Sequence, residues 1–415
     1  MTENLMYKMD DFASLLKERV PSSQYELLKS ISLIADSNGV ALYLVGGMVR
    51  DILLSTSYTD PDLCIEGGST DFVKLLSAEL AGNVIAQSEF GTTKVELNGT
   101  IVDFAIARKE KYQYEGALPE VEEGTIIEDL GRRDFSINSM AVSMNSRNFG
   151  ELIDPNNGCT DLENRVIRAL HPDSFLDDPT RLLRAARYAG RLGFTLDTET
   201  KKWMISSLNI LKDISGDRIR HEIEHILREN QALNILSLAE QLGILETIYP
   251  SLKVPYKLGK SDAVFGQHKE SALLSMLAYS LPLGHSKSFA DRLNLGRNWS
   301  KIVTDSHHVL RLIRELSSDL SASSIHALLS DLHDIAICVG SLYTEPPVSD
   351  RLKLYTEKLR HIKTSLDGQD LLNMGVPQGA LVGKILNELL VAKLDGHISS
   401  AADERETVCR ILKDN

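Results

Sequence analysis

The stretch VALYLVGGMVRD (residues 40–51), followed by DPDLCIE (residues 60–66), decides how this chain begins to fold. An apolar run with β-branched and aromatic residues predicts a short buried strand. It runs into Gly46-Gly47, after which MVRDILL starts a helix and SYTD (residues 57–60) makes a polar turn before a second apolar strand. A Gly-Gly turn between strand and helix lets backbone N–H groups approach a triphosphate without Cβ interference, at a helix end that favours anions. Arg50, one helical turn on, is placed to reach the same phosphates. Asp60 and Asp62, at i and i+2 on a strand, project to one face. Mg²⁺ wants a few hard oxygen ligands and shares the rest with substrate phosphates, so this is where a pair of such ions would need them. Asp103, in TIVDFAIA (residues 100–107), is a candidate further carboxylate. A DxD pair or a Gly-Gly turn alone is commonly only a solvated turn, whereas the ordered combination is far more specific.

Working outward, apolar residues recur at helical spacing from Ser22 to about Asn38. Alternating stretches follow at GNVIA (82–86), TKVEL (93–97) and TIVDFAIA, and the turn Leu97-Asn98-Gly99-Thr100 marks a hairpin. The first 150 residues or so therefore predict a mixed α/β unit with a small sheet. Beyond about Arg165 helical periodicity dominates, interrupted by turn clusters at VPYKLGKSDAVFG (254–266) and YTEPPVSD (343–350). The expected class is α+β: a compact α/β head and an extended all-helical remainder.

With 415 residues, two to four domains are expected. No apolar run approaches a membrane span, the N-terminus lacks a secretory pattern, and four scattered cysteines fit reduced thiols, so the expected location is cytoplasmic. A net charge of −13 argues mildly against a nucleic-acid partner, but clustered arginines still permit a local basic groove.

GGMVRD with DPDL resembles the head of the nucleotidyltransferase branch that includes bacterial poly(A) polymerases and class II CCA-adding tRNA nucleotidyltransferases. RRDFSINSMA (132–141) looks like that family's RRDFTxNA segment, and DPNNGCTDL (154–162) like its DPxxGxxDL turn. DDPTRLLRAARYAGRLGF (177–194) is similar to its base-selecting helix, SGDRIRHEIEHIL (215–227) to its neck helix, and DGQDLLNMGVPQGALVGKILNELL (367–390) to its C-terminal segment. The likeness runs in order from about residue 40 to the end. It implies a nucleotidyltransferase head over residues 1–150, a base-selecting neck over 151–230, a helical body over 231–320 and a tRNA-binding tail over 321–415.

An enzyme without a nucleic-acid template must choose bases with protein groups. Cytosine and adenine both present an amino donor beside a ring-nitrogen acceptor; guanine and uracil present the reverse. An Asp–Arg pair matches the first two, and each mismatched buried polar group costs on the order of 1–3 kcal/mol. On a helix expected from Asp178 to Gly190, Asp178, Arg181, Arg184 and Arg187 recur every three residues and can share one face. By itself such spacing more often makes surface ion pairs. The resemblance makes Asp178 and Arg181 the pairing residues of an EDxxR motif, with Asp177 in place of its Glu. It also implies that Arg184 and Arg187 line the nucleotide pocket, that Arg133 contacts phosphate or sugar, and that Asp134 and Asn138 orient ribose or brace the pocket.

The stretch from Arg108 to Asp129 is polar with no clean period and reads as a surface loop. In the family a flexible loop here accompanies the switch from C to A, so its presence favours full CCA or A addition over CC addition alone.

The expected reaction is attack of an RNA 3′-hydroxyl on a nucleotide α-phosphate, with Asp60 and Asp62 as catalytic metal ligands, Mg²⁺ as cofactor, CTP and ATP as donors and tRNA as acceptor. Candidate RNA contacts are the basic residues of 351–363 and Lys384. An A-adding specialist and a poly(A) polymerase remain alternatives within the family, and oligomeric state stays open. A different class is raised by His221-Glu222-Ile223-Glu224-His225, which matches the HExxH zinc-hydrolase string. It coincides with the neck block, where Ile219, Ile223 and Ile226 form a packing stripe. His333-Asp334 reads as an incidental pair rather than a phosphohydrolase signature.

Overall fold

The computed structural model describes residues 12–56, 60–88, 91–117, 119–254 and 266–414. The first three residues of the expected SYTD turn, and residues 255–265 of the later turn cluster, lie outside them. The chain divides into two compact units, Met1–Ile214 with Glu229–Thr247, and Ser215–Arg228 with Ile248–Asn415.

Unit 1 is built on a seven-stranded mixed sheet. Its strands are β1 (Ala41–Val45), β2 (Asp62–Glu66), β3 (Asn83–Gln87), β4 (Thr92–Leu97), β5 (Thr100–Ile106), β8 (Ala141–Ser143) and β9 (Leu152–Ile153), in the order β3-β4-β5-β2-β1-β8-β9. The 40–45 run folds as expected, with Leu42 and Leu44 fully buried on one face. Val45 lies on the other with Cys64, Ala107, Ile126, Leu130 and Ala141. The β4–β5 hairpin closes through Asn98 and Gly99, both at positive φ (51° and 77°), the backbone that a two-residue turn between twisted strands requires. β2 and β5 pair in parallel, and their register sets Asp62 opposite Asp103.

Helices α1 (Phe12–Arg19), α2 (Ser22–Ser37), α3 (Gly47–Leu53) and α4 (Thr70–Glu79) flank this sheet, α2 and α3 packing on β1 and α4 on β4. The segment expected as a surface loop is instead an antiparallel ribbon, β6 (Arg108–Lys111) against β7 (Glu120–Glu123), leading into α5 (Ile126–Gly131). Opposite charges across it explain the pairing: Glu122 takes Lys109 at 3.2 Å and Lys111 at 2.7 Å. Thr125 and Glu128 then cap α5 reciprocally.

In the DPNNGCTDL turn, Asn157 adopts φ 55° and the Asp154 carboxylate accepts from the N–H groups of Gly158 (2.7 Å) and Cys159 (2.9 Å). That starts α6 (Gly158–Asn164). Next come α7 (Ser174–Asp177), α8 (Thr180–Leu192) and α9 (Thr198–Ser207).

Unit 2 is all-helical among the described residues. It includes α10 (Gly216–Arg228), on which Ile219, Ile223 and Ile226 are buried as the stripe predicts. Helices Lys269–Ser280, Arg297–Arg311 and Asp334–Tyr343 pack on one another, with Tyr279 and Tyr343 stacked at 5.0 Å. His333 caps the last of these, its Nδ1 accepting from the Ile335 N–H at 3.2 Å, which gives the His-Asp pair a structural use. At the C-terminal end Leu371, Ile385, Leu389 and Val408 form a small core. Glu404, with no exposed surface, accepts there from the Ser365 and Leu366 N–H groups and from Lys393 Nζ at 2.7 Å. An α/β head with a mixed sheet and a helical remainder is thus the observed class. No single described helix is long and apolar enough to cross a membrane.

Candidate active site

The expected carboxylates meet at the N-terminal end of β2. Asp62 is its first residue; Asp60 lies two residues earlier in an exposed bend, outside the strand that was expected to carry both. Asp103, brought beside Asp62 by strand register, binds Lys94 at 2.9 Å through Oδ2. Its Oδ1 is buried with no hydrogen-bond partner. Burial, then the charge of Asp103, pushes the Asp62 carboxyl up to about 6, against the pull of Arg133 and Lys94. A carboxyl raised by burial and by its neighbour, beside a buried carboxylate oxygen with no partner, marks a site short of positive charge. Asp60, Asp62 and Asp103 therefore fit a hard divalent cation. Among the described residues no group of three or more His, Cys, Asp or Glu side chains is preassembled as a metal cage. Mg²⁺ does not require one, since it is bound through one or two carboxylates plus substrate phosphates.

Gly46 precedes α3 as its N-cap with φ 69°, and a Cβ there would lie 2.8 Å from Arg133 Nη1 and 3.9 Å from Asp62 Oδ2. Glycine is required twice over, by backbone conformation and by space. Arg133 is anchored by Asp129 at 2.9 Å. Burial alone would raise Asp129, but Arg133 and Arg132 outweigh it and hold its carboxyl below the ordinary range.

Arg50 sits elsewhere than its spacing suggested. It is 2% exposed, donating to Asp51 (2.8 Å) and to the Asn138 amide oxygen (2.6 Å). Asn138 donates to Asp134 Oδ1 at 3.0 Å, and Asp134 Oδ2 accepts from Arg184 at 2.7 Å. Asp51, Arg50, Asn138, Asp134 and Arg184 thus form one continuous polar chain. Arg50, Arg184 and Arg187 all lie over the Tyr188 ring, 5.1 to 5.6 Å from its centroid, and Arg187 also approaches Glu229 at 3.6 Å. Desolvated cation–π contacts add to the ion pairs in fixing these guanidiniums.

The expected helix from Asp178 begins two residues later, at Thr180. Asp178 is extended (φ −133°, ψ 98°), and its Oδ1 accepts from the Thr180 N–H at 3.0 Å and hydroxyl at 2.7 Å. The reason is Pro179, which disfavours helical backbone in the residue before it. Arg181, 6% exposed, donates to Ser174 Oγ and to the Arg132 carbonyl, each at 2.7 Å. So Asp178 and Arg181 are each locked by their own partners, near the start of α8 rather than along its face. Arg132 is clamped through its side chain by Glu110 (2.8 Å) and Asp129 (2.6 Å). Glu110 comes from the β6–β7 ribbon.

Sequence reading overlooked Lys94, Asp51, Asp129, Ser174 and Tyr188. Asp51 and Asp129 stood next to, or one turn from, arginines already singled out; Lys94 and Ser174 depend on tertiary placement and carry no local signal.

The chain matches the poly A polymerase head domain over residues 42–168, and a second model, described as the probable RNA and SrmB-binding site of polymerase A, over residues 193–254. The multifunctional CCA protein of Pseudomonas fluorescens is 30% identical over 76% of this chain and 77% of its own length. The chain belongs to the tRNA nucleotidyltransferase and poly(A) polymerase family. Another member, the A-adding tRNA nucleotidyltransferase of Geobacter sulfurreducens, is 30% identical over 99% of this chain; the chain spans about half that relative's length (49%). A solved CCA-adding enzyme, in its apo form II, superposes with TM-score 0.81 at 29% identity, covering 97% of this chain and 99% of its own. The glycine turn, the carboxylate cluster and all of the sheet but Ala41 fall inside the matched head segment of this family member.

Proposed function

We propose that this nucleotidyltransferase extends the 3′ end of tRNA without a nucleic-acid template, adding C and A from CTP and ATP with release of pyrophosphate. The observation that carries the reading is the carboxylate cluster of Asp60, Asp62 and Asp103 beside Gly46 and Arg133, with one buried oxygen unpartnered. Asp60 and Asp62, with Asp103 alongside, would hold Mg²⁺, which when bound activates the attacking hydroxyl and neutralises charge at the reacting phosphate. The open backbone at Gly46-Gly47 admits the triphosphate, and Arg133 supplies positive charge beside it. Arg50 acts one step back, holding Asn138 and through it Asp134 and Arg184. Asp178 offers acceptor oxygens and Arg181 N–H donors to the base edge, a pattern that matches C and A and rejects G and U. No covalent nucleophile is needed, because positioning and electrostatics carry phosphoryl transfer of this kind. The head, neck, body and tail partition at about residues 150, 230 and 320 belongs to the same proposal.

A second reading, addition of the terminal A alone, is favoured by the A-adding name of the Geobacter relative. The Asp178–Arg181 chemistry suits both. Transcripts ending before the CCA, after its first C and after its second C, each incubated with one nucleotide at a time, separate the two. Extension of the first two with CTP together with extension of the third with ATP supports full CCA addition; extension only of the third, with ATP, supports the A-adding reading. No extension of any transcript would overturn both.

A further inference from the structure

The HExxH string has no part in the reading above. On α10, His221 and His225 lie one turn apart on the same face. Their rings meet edge to face at 4.5 Å, with the two Nε2 atoms 3.1 Å apart. His221 is exposed and His225 half-buried. Glu222, the residue a zinc hydrolase would need as general base, is instead buried at 5% exposure, and Glu224 is drawn toward Arg220 (3.4 Å) and Arg228 (3.8 Å). The hydrolytic part of the motif is therefore dismantled. Its chelating part is not. Two imidazole nitrogens on one zinc ion, each at about 2.0–2.1 Å and near the tetrahedral angle, lie about 3.3 Å apart.

We propose that His221 and His225 form a two-imidazole chelate site for a zinc-class divalent ion on α10, made of residues other than those of the carboxylate cluster. Imidazole suits Zn²⁺, Ni²⁺ and Cu²⁺, whereas Mg²⁺ takes oxygen, so the two sites sort ions by ligand type. Among the described residues no third His, Cys, Asp or Glu completes the set. The remaining positions are then left to water, which makes the proposed site exchangeable rather than structural. The Ile219, Ile223 and Ile226 stripe already fixes the helix, so binding requires no folding step. The competing use of the pair is a simple hydrogen bond, one ring's N–H donating to the other's lone pair; an ion replaces it by taking both lone pairs.

The test is a zinc competition titration of the metal-stripped full chain against a chromophoric chelator, in excess MgCl₂. Wild type is compared with His221→Gln, His225→Gln and the double variant. The expected result is one fewer bound equivalent in the double variant, and affinity weakened by at least on the order of tenfold in each single one, since loss of even an outer-shell partner costs that much. Equal stoichiometry and affinity in the double variant, or displacement of the ion by MgCl₂, would overturn the proposal. Far-UV circular dichroism checks that the variants fold. Independently, zinc added to wild type must move the Nε2 resonances of both histidines; resonances that stay put leave only the hydrogen bond, and the proposal fails.

Discussion

In unit 1 the buried side chains include Arg50, Asp51, Asp129, Asp134, Asp161, Arg181 and Arg187, whereas the buried acidic side chains of unit 2 are Glu222, Asp305 and Glu404 among the described residues, and its other buried polar groups are serines and His307. Most of the unit 1 charges touch one another or a residue of the candidate site. Burying charge is expensive unless it is paired and hydrogen-bonded, so a fold that does it repeatedly in one place is holding dipoles ready for a ligand. In unit 2 Glu404 does a different job: it ties a loop and a helix together at the C-terminal end.

The sharpest way to break this contrast is to remove charge where it serves chemistry rather than packing. Asp62→Asn is expected to lower nucleotide incorporation by on the order of 10³-fold or more, with the urea midpoint no lower than wild type, because an elevated carboxylate is relieved rather than a bond lost. Retention of even a tenth of the activity would remove Asp62 from the site.

Next in size is Asp134→Ala, which strands Arg184 and Asn138. With Arg184 partly exposed the loss is discounted from the fully buried case to about 2–3 kcal/mol in urea unfolding. A loss under a few tenths of a kcal/mol would mean that solvent already screens the pair. Arg181→Lys keeps the charge but cannot reach Ser174, the Arg132 carbonyl and a base together. Discrimination of ATP and CTP against GTP and UTP should fall by on the order of tenfold or more, read from single-nucleotide kcat/KM ratios. Unchanged ratios would take base reading away from Arg181.

The smallest effect belongs to unit 2 and to pH. Burial would raise Glu404, but Lys393 and the Ser365 and Leu366 N–H groups outweigh it and hold its carboxyl below its ordinary value. A carboxylate depressed on folding contributes stability that is present above the unfolded pKa and lost as pH falls through the folded one. Wild type should therefore lose stability on acidification over that window, and Glu404→Gln should lose less. Parallel acid titrations of the two would contradict the assignment.

Much of this could be read from residues alone where the signal was local. A short apolar run placed β1, Asn98-Gly99 placed the hairpin, and isoleucine spacing placed the buried face of α10. The 108–129 segment misled because charged strands of an exposed ribbon carry no apolar period; only the match of Lys109 and Lys111 with Glu122 reveals them. The start of α8 was misplaced because i,i+3 counting ignored Pro179. Arg50 was assigned to phosphate because its spacing from Gly46-Gly47 says nothing of Asn138, eighty-eight positions away, which holds it. Asp103 illustrates the limit: its strand was visible, but its position opposite Asp62 is a property of register between strands distant in sequence.

Tyr188 gives three guanidiniums, those of Arg50, Arg184 and Arg187, a common floor. Substitutions there would not act one residue at a time. A lineage altering this region would have to move the ring and its three cations as a block, or leave them alone and change residues that do not touch it. Change is thereby channelled away from the ring, while the ring and its cations are shielded from gradual substitution.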